Sequence, residues 1–437
     1  EVTYGNNLGS GYYVGRPLTS KTTLSNGSDS FTSEEEIIYT GFLPTTIKKK
    51  SNNFLVGIEN LTYDSFGNVT QKTITLPDGG QRTLSTSYDA TGRFIVQETN
   101  FEGLSTSYTN DPVTGSPLSK TNPLGQTETL LYDSWGRLLN TTNYLNIKAY
   151  RSYVTDFSTV TITASDDEGR KAIEVYNSSG LLIEKKEKTI DGQYVGVGLQ
   201  YDIYGRKVGE SQIQPQGSYN QWNSTSYDEY NRVKQTINFS GKTTNYSYSG
   251  RNITINDGTK SVTSVKNQLG LITSMQDPGG TINYTYFANG NLKTSDFAGV
   301  AQIIEQDGLG RRIKLTDPSA GIFQYEYDGF DQLTKEITPK GTTEFTYDAA
   351  GKLIQKKIVG DQTNMQYTFS YNPGSKLLTS MNLTNADGNN STSTYTYDSY
   401  NRLTSRVEDN LHARFARTYT YDTYGRVNAE GSQAKSK

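Results

Sequence analysis

The stretch YEYDGFDQLTKEITPKGTTEFTYDAAGKLI, residues 325–354, decides the reading of this chain. Tyr327-Asp328 and Tyr347-Asp348 are 20 residues apart and open the same pattern. The fifth position holds Asp331 in one copy and Gly351 in the other. These residue types tolerate positive φ, so the position closes a tight turn in the left-handed region. The Asp in the second position can accept a hydrogen bond from the backbone two residues on, which favours the same turn. Leu333 and Leu353 then restart a strand. Midway, Thr338-Pro339-Lys340-Gly341 supplies a second turn, with Pro presetting φ and Gly completing it. Before each Tyr-Asp, aromatics alternate with polar residues: Tyr325 and Tyr327 around Glu326, Phe345 and Tyr347 around Thr346. Such i, i+2 pairs share one face of a strand. The unit is strand, turn, strand, turn.

Working outward, Tyr-Asp occurs nine times, at Tyr63, Tyr88, Tyr132, Tyr201, Tyr227, Tyr327, Tyr347, Tyr397 and Tyr421. The fifth position is Gly in six copies, Asn231 and Asn401 in two, and Asp331 in one. Degenerate copies at Tyr108, Tyr153, Tyr176, Tyr248, Lys266, Tyr286, Gln306 and Tyr371 fill the gaps. Further second turns lie at Asp277–Gly280, Asp296–Gly299 and Asp317–Gly321. The 17 registers between Tyr63 and Tyr421 predict an all-β chain of about 34 strands of 5–7 residues, with nearly no helix. A long antiparallel sheet of tandem hairpins follows. Its tyrosines are expected to stack in ladders across successive units.

Composition narrows the classes. Apolar residues are 33% of 437, and that share includes 33 Tyr. Low hydrophobicity with a net charge of −3 and 11% aromatics points to a folded chain rather than a disordered one. So little apolar material favours a sheet wound around space over a solid core, with amphipathic Tyr bridging two wet faces. Without Cys there are no disulfides, thiol nucleophiles or thiolate metal sites. With His412 alone, a His-rich metal site is excluded. No apolar run is long enough for a membrane-spanning helix, and the balanced charge offers no surface for nucleic acid. The start, EVTYG, lacks a basic and apolar leader, so any secretion signal is expected outside this stretch.

YDxxGRL followed about eleven residues later by DPxG resembles the YD-repeat (Rhs) family. That family includes bacterial polymorphic toxins, the B/C shells of insecticidal toxin complexes, wall-associated contact-dependent toxins and teneurins. The resemblance covers residues 61–428. Residues 1–60, with GYYVGRPLTSKTT and IIYTG, read as degenerate N-terminal repeats, and 429–437 as a truncated or flexible tail. It implies a β-sheet spiral closing a hollow, cocoon-like shell, which in toxin members encloses a C-terminal effector. Those members also carry a DPxGL-type core segment with paired Asp residues that cut the toxin free. DPGG and DPSAG here are mid-array turns without the following Leu, so self-cleavage and toxicity are not assigned. The chain stops in mid-repeat at EGSQAKSK, as part of a longer protein or a truncated shell is expected to do.

No catalytic, cofactor-binding or metal-binding residue is assigned. The Tyr-Asp pairs are explained by turn chemistry, not by acid–base work. His412 reads as a surface or packing residue. Glu34, Glu35 and Glu36, and Lys48, Lys49 and Lys50, read as solvated loops. Asp166-Asp167 aligns with a second turn rather than with a catalytic acid pair. Asn60 and Asn68 begin Asn-X-Thr triplets expected by chance. Trp135 and Trp222 read as packing residues in or near turns rather than sugar-stacking ones. The expected function is a non-enzymatic shell segment of a secreted bacterial protein that encapsulates a polypeptide. Its partners are the enclosed toxin or other cargo and secretion-system components, with no cofactor and no nucleic acid. The alternative is a cell-surface adhesin or exoprotein binding a glycan or protein. Exposed terminal strands are expected to be sticky edges.

Overall fold

The computed structural model describes residues 1–9, 11–27 and 29–437. In all nine Tyr-Asp segments the fifth residue donates its amide to the Asp carbonyl, closing the turn. Its φ is positive every time, from 59° at Asn401 to 94° at Gly351. Asp398 shows the rest of the chemistry: its carboxylate accepts the amides of Tyr400 at 2.8 Å and Arg402 at 2.9 Å. The turn holds one more residue than a flush pairing allows. The register therefore shifts between Thr396 and Tyr397, and Tyr397 faces Leu403.

Strands, numbered β1 to β39 in chain order, are the only regular elements among the described residues, and all their pairings are antiparallel. The unit read from the sequence appears as β30 (Gly321–Tyr327), β31 (Leu333–Thr338), β32 (Gly341–Tyr347) and β33 (Leu353–Gly360), each paired with the next. Tyr-Asp turns follow one edge of this strip and second turns the other. The succession is interrupted where β17 (Tyr194–Tyr201) pairs with β16 (Leu182–Lys188), with β18 (Lys207–Ser211) and with the two-residue β19 (Gln214–Pro215).

The sheet has almost no dry core. Leu76, Ala288 and Tyr325 are the buried hydrophobic residues among those described. The accessible surface is 26265 Å², whereas a compact globule of 48.5 kDa exposes only about 16,600 Å². A sheet wet on both faces accounts for the excess. The alternation read from the sequence holds: in β30, Gln324 and Glu326 are exposed, Tyr325 is buried and Tyr327 is half-buried.

At the N-terminal end, β3 (Ser30–Thr40) and β4 (Leu43–Ser51) correct the reading of the charge runs. Glu34, Glu35 and Glu36 are not in a solvated loop but lie opposite Lys50, Lys49 and Lys48. The connecting turn at Gly41 and Phe42 is centred between the runs, so opposite charges meet across the strands. Lys48 reaches Glu36 at 3.1 Å and Lys50 reaches Glu34 at 3.2 Å. Lys49 reaches Glu59 of β5 (Phe54–Tyr63), a strand that runs across residue 60, at 2.8 Å. At the other end, β39 (Val427–Ser436) pairs with β38 (Ala413–Tyr421) along its length. Contacts divide the chain into two compact units. One comprises Glu1–Thr127, Thr285–Ser295 and Val300–Lys437; the other comprises Glu128–Tyr284 and Asp296–Gly299.

Candidate functional site

The site of interest in such a molecule is what makes the strip a wall. Two sets of side chains do so. The first laces each turn to the next. Arg402, sixth in its motif, places Nε 2.7 Å from Oδ2 of its own Asp398. The guanidinium then lies 4.4 Å from the ring centroid of Tyr421, the first residue of the next motif. The Tyr421 hydroxyl in turn donates back to the Leu403 carbonyl, the seventh position of the earlier motif, at 2.7 Å. The same cycle joins Arg137 to Tyr153, Arg206 to Tyr227, Arg232 to Tyr248 and Arg311 to Tyr327. Each hydroxyl bond contributes about 1 kcal/mol and each cation–ring contact about 0.5–1 kcal/mol, so the strength lies in repetition. The tyrosine ladder expected from sequence is thus ring on guanidinium and hydroxyl on carbonyl.

The ladder sets the local ionisation. Burial pushes the Asp398 carboxyl up, but the amide and guanidinium of Arg402 and the amide of Tyr400 outweigh it, so the group lies below its ordinary value. Burial pushes the hydroxyls of Tyr371 and Tyr397 up.

The second set is a seam inside the first unit, where second turns near the N-terminus meet Tyr-Asp turns some 250 residues later. Asn26 Nδ2 donates to the Tyr286 carbonyl at 2.7 Å, and the Ala288 amide donates to Asp29 Oδ2 at 3.0 Å. Ser51 Oγ and Asn52 Nδ2 both donate to the Gly308 carbonyl, at 2.8 Å and 3.0 Å. Arg82 donates to Gln332 and lays its guanidinium 3.7 Å from the Phe330 ring centroid. Lys352 pairs with Glu102 at 2.7 Å. Leu76 presses so close to Gly329 that a Cβ there would meet its Cδ1 at 2.6 Å. Successive hairpins on one side therefore face successive hairpins on the other, second-turn edge against Tyr-Asp edge.

The residues singled out from sequence are scattered. His412 is exposed in the turn before β38, its amide held by Asn410 Oδ1 at 3.0 Å. Asp166 makes a second turn, accepting Arg170 Nε at 2.7 Å. Asp167 instead accepts the Lys148 amide and the Tyr150 hydroxyl, so each carboxylate serves a different bond. Trp135 is 82% exposed in a Tyr-Asp turn, against the packing role read for it. That turn needs no large side chain in the fourth position. Trp222 does pack: its indole N–H donates to the Tyr219 carbonyl at 2.9 Å, and its ring stands over Gly198 and Gly209. Beside it, Tyr219 donates to Glu184, which also pairs with Lys186 at 2.7 Å. Asn68 is the sixth residue of its motif, and its amide donates to Asp64 and to the Gly92 carbonyl. Asn60 accepts from Thr46. Among the described residues no group of three or more His, Asp or Glu is placed to hold a metal, and no helix is long and apolar enough to cross a membrane.

The sixth-position arginines were missed from sequence, although Arg recurs there in six of nine copies. That recurrence was the available signal. The seam had none, because its partners are far apart and share no motif.

A repetitive sheet laced turn to turn and joined edge to edge defines a wall-building repeat protein. The chain matches the teneurin YD-shell family over residues 143–434, about two thirds of its length, and belongs to that family. Its role is accordingly structural and shell-like. The fold matches the crystal structure of TcdB2-TccC3, with a TM-score of 0.54 at 10% identity, over 96% of this chain and 39% of that one. Weaker likenesses, each with a TM-score of 0.47 at 13% identity, link it to two further structures. The crystal structure of TcdB2-TccC3-TEV is matched over 92% of this chain and 26% of that one. The Photorhabdus luminescens Tc holotoxin pore is matched over 93% of this chain and 26% of that one. No curated protein matches it.

Proposed function

We propose that this chain is a stretch of the wall of a secreted bacterial shell that encloses a polypeptide cargo. The seam is the observation that carries the reading. A strip that returns to pack on its own edge can bound a volume, whereas an open strip cannot. The faces support it as well. Two wet faces of Thr, Ser, Asn and half-buried Tyr give no continuous apolar grip, so an enclosed chain is held away from proteases yet is free to leave. No step of this role requires a reacting side chain.

The test uses the full native gene product. Added protease is expected to leave a resistant particle that contains a non-repeat segment. That segment should become digestible once acid or denaturant opens the wall. If it is cut equally fast before and after opening, encapsulation fails. Exposed Trp135 favours a second reading, a surface protein binding a glycan or protein partner. Saturable binding that Trp135→Ala abolishes, with no protected segment, would replace the first reading with this one.

A further inference from the structure

At the seam the second-turn edge grips the Tyr-Asp turns largely by their main chain. The Ala288 amide donates to Asp29, the Gly308 carbonyl accepts from Ser51 and Asn52, and the Ala349 carbonyl accepts from Arg82 at 3.4 Å. Ala288, Gly308, Gly329 and Ala349 hold the third position of four consecutive motifs, those opening at Tyr286, Gln306, Tyr327 and Tyr347. Ala288 is 3% exposed, and Gly308 and Gly329 are half-buried. The third residues of other turns, among them Ser134, Ile203, Gln268 and Ser399, are exposed. Neither Gly308 nor Gly329 has a positive φ, so the turn itself does not call for glycine there. Clearance does. A Cβ on Gly308 would stand 2.8 Å from Cδ2 of Phe54, and one on Gly329 would stand 2.6 Å from Cδ1 of Leu76. Phe54 follows directly on Asn52 and Asn53, both at positive φ. Pushing Phe54 outward would draw Ser51 and Asn52 off the Gly308 carbonyl.

We propose that Gly308 and Gly329, with Ala288, are the specificity-determining residues of the seam. Their lack of bulk lets the second-turn edge reach the main chain of the Tyr-Asp turns, and a longer side chain in the third position excludes it. The rule is permissive: Ala90 is as small and is exposed, so a small third residue admits a facing edge without naming one. The hydrogen bonds explain why bulk matters more than chemistry here. Every residue offers the same amide and carbonyl, so what a turn can vary is access to them. The inference rests on the seam, as the encapsulation reading does, but not on any cargo.

The double variant G308Q/G329Q of the 437-residue chain tests it by amide hydrogen exchange. Gln268 already holds the third position of a turn closed by the Gly270 amide on the Asn267 carbonyl, so glutamine suits the hairpin. The Gly310 and Asp331 amides close the two substituted turns and should keep their protection. The Ala288 amide is bonded across the seam to Asp29 and should exchange at least about 10-fold faster. The control S134Q/S399Q places the same residue in two turns whose third residues are exposed, and should change none of the three amides. An Ala288 amide as slow as in the parent chain overturns the proposal, because the edge then docks despite the added bulk. Loss of protection at Gly310 and Asp331 overturns it too, by making both glycines requirements of the hairpin. Equal acceleration in the control does the same, by showing a general softening of the sheet. A cargo segment digested equally fast before and after opening would remove the encapsulation reading and leave this result standing.

Discussion

The turns at Asp328–Gln332 and Asp228–Arg232 are built alike and used differently. In both, the Asp carboxylate accepts the amides of the fourth and sixth residues at 2.9 Å. Asp331 and Asn231 close them at φ of 63° and 64°. At the first turn, Arg82 comes from far along the chain to cover Phe330 and to donate to Gln332. At the second, the Tyr230 ring is exposed, 5.0 Å from the guanidinium of Arg232 of its own turn, and Arg206 of the preceding motif donates to Asn231. The second and fifth positions make the hairpin. The third and fourth are left free, and the seam is built from those together with sixth positions such as Gln332 and Lys352, where the ladder Arg is replaced. A repeat protein can thus fix one motif for folding and vary its tips for assembly.

Acid should remove the common part of this comparison, and it carries the largest expected effect. Burial pushes the carboxyls of Asp133, Asp202, Asp228 and Asp422 up. In each, the amide and guanidinium of the sixth residue and the amide of the fourth outweigh it. Folded values lie below the ordinary 3.8, so the unfolded chain takes up protons first as pH falls. The stabilisation is complete well above pH 3.8 and is lost as pH drops through the lowered values. Because the same chemistry recurs at many turns, the loss should be steep and should affect both units. Thermal melting followed from pH 7 to pH 2 checks this; a midpoint unchanged at pH 2.5 would show that the Asp bonds contribute little.

Substitution at the tips should separate the two regions. Phe330→Ala strips a ring packed under Arg82, and a loss of about 3 kcal/mol is expected from such truncations. Tyr230→Ala removes an exposed ring and should cost less than about 1 kcal/mol. Amide hydrogen exchange localises the effect. Phe330→Ala should release protection on both sides of the seam, including the strands flanking Leu76, whereas Tyr230→Ala should act only on its own hairpin. Equal effects would mean that the seam adds no stability beyond the turns.

The difference between these tips also explains what could be read in advance. Hairpins are local, so Asp at the second position, Gly, Asn or Asp at the fifth and alternating aromatics announced the Tyr-Asp turns. Strand polarity, the left-handed residues and the thin core followed from those. The ladder was written in the repeat as the sixth-position Arg, but it links neighbouring motifs rather than residues within one, and only stacked strands show why it recurs. The pairing of Glu34–Glu36 with Lys48–Lys50 was legible too, since Gly41 and Phe42 lie midway between the runs. The seam was not. Phe330 and Tyr230 occupy the same position in similar motifs, and nothing nearby tells which of them meets Arg82.

Removal of single hydroxyls tests whether the ladder is independent of the seam. Tyr347 and Tyr248 donate to the Leu333 and Val233 carbonyls, each at 2.8 Å. Tyr347 begins a motif that faces the seam, and Tyr248 belongs to the other unit. Replacing each by Phe keeps the ring, and with it the contact between Tyr248 and Arg232, and removes only the hydroxyl. If the ladder is a property of neighbouring turns alone, Y347F and Y248F should each cost about 1 kcal/mol in urea unfolding, the usual net value of one such bond. A much larger loss at Tyr347 would mean that the seam holds its strands too rigidly for the orphaned carbonyl to find water. A negligible loss at both would assign the lacing to Asp and Arg alone, leaving the tyrosine hydroxyl as a means of keeping an amphipathic ring soluble on a wet face.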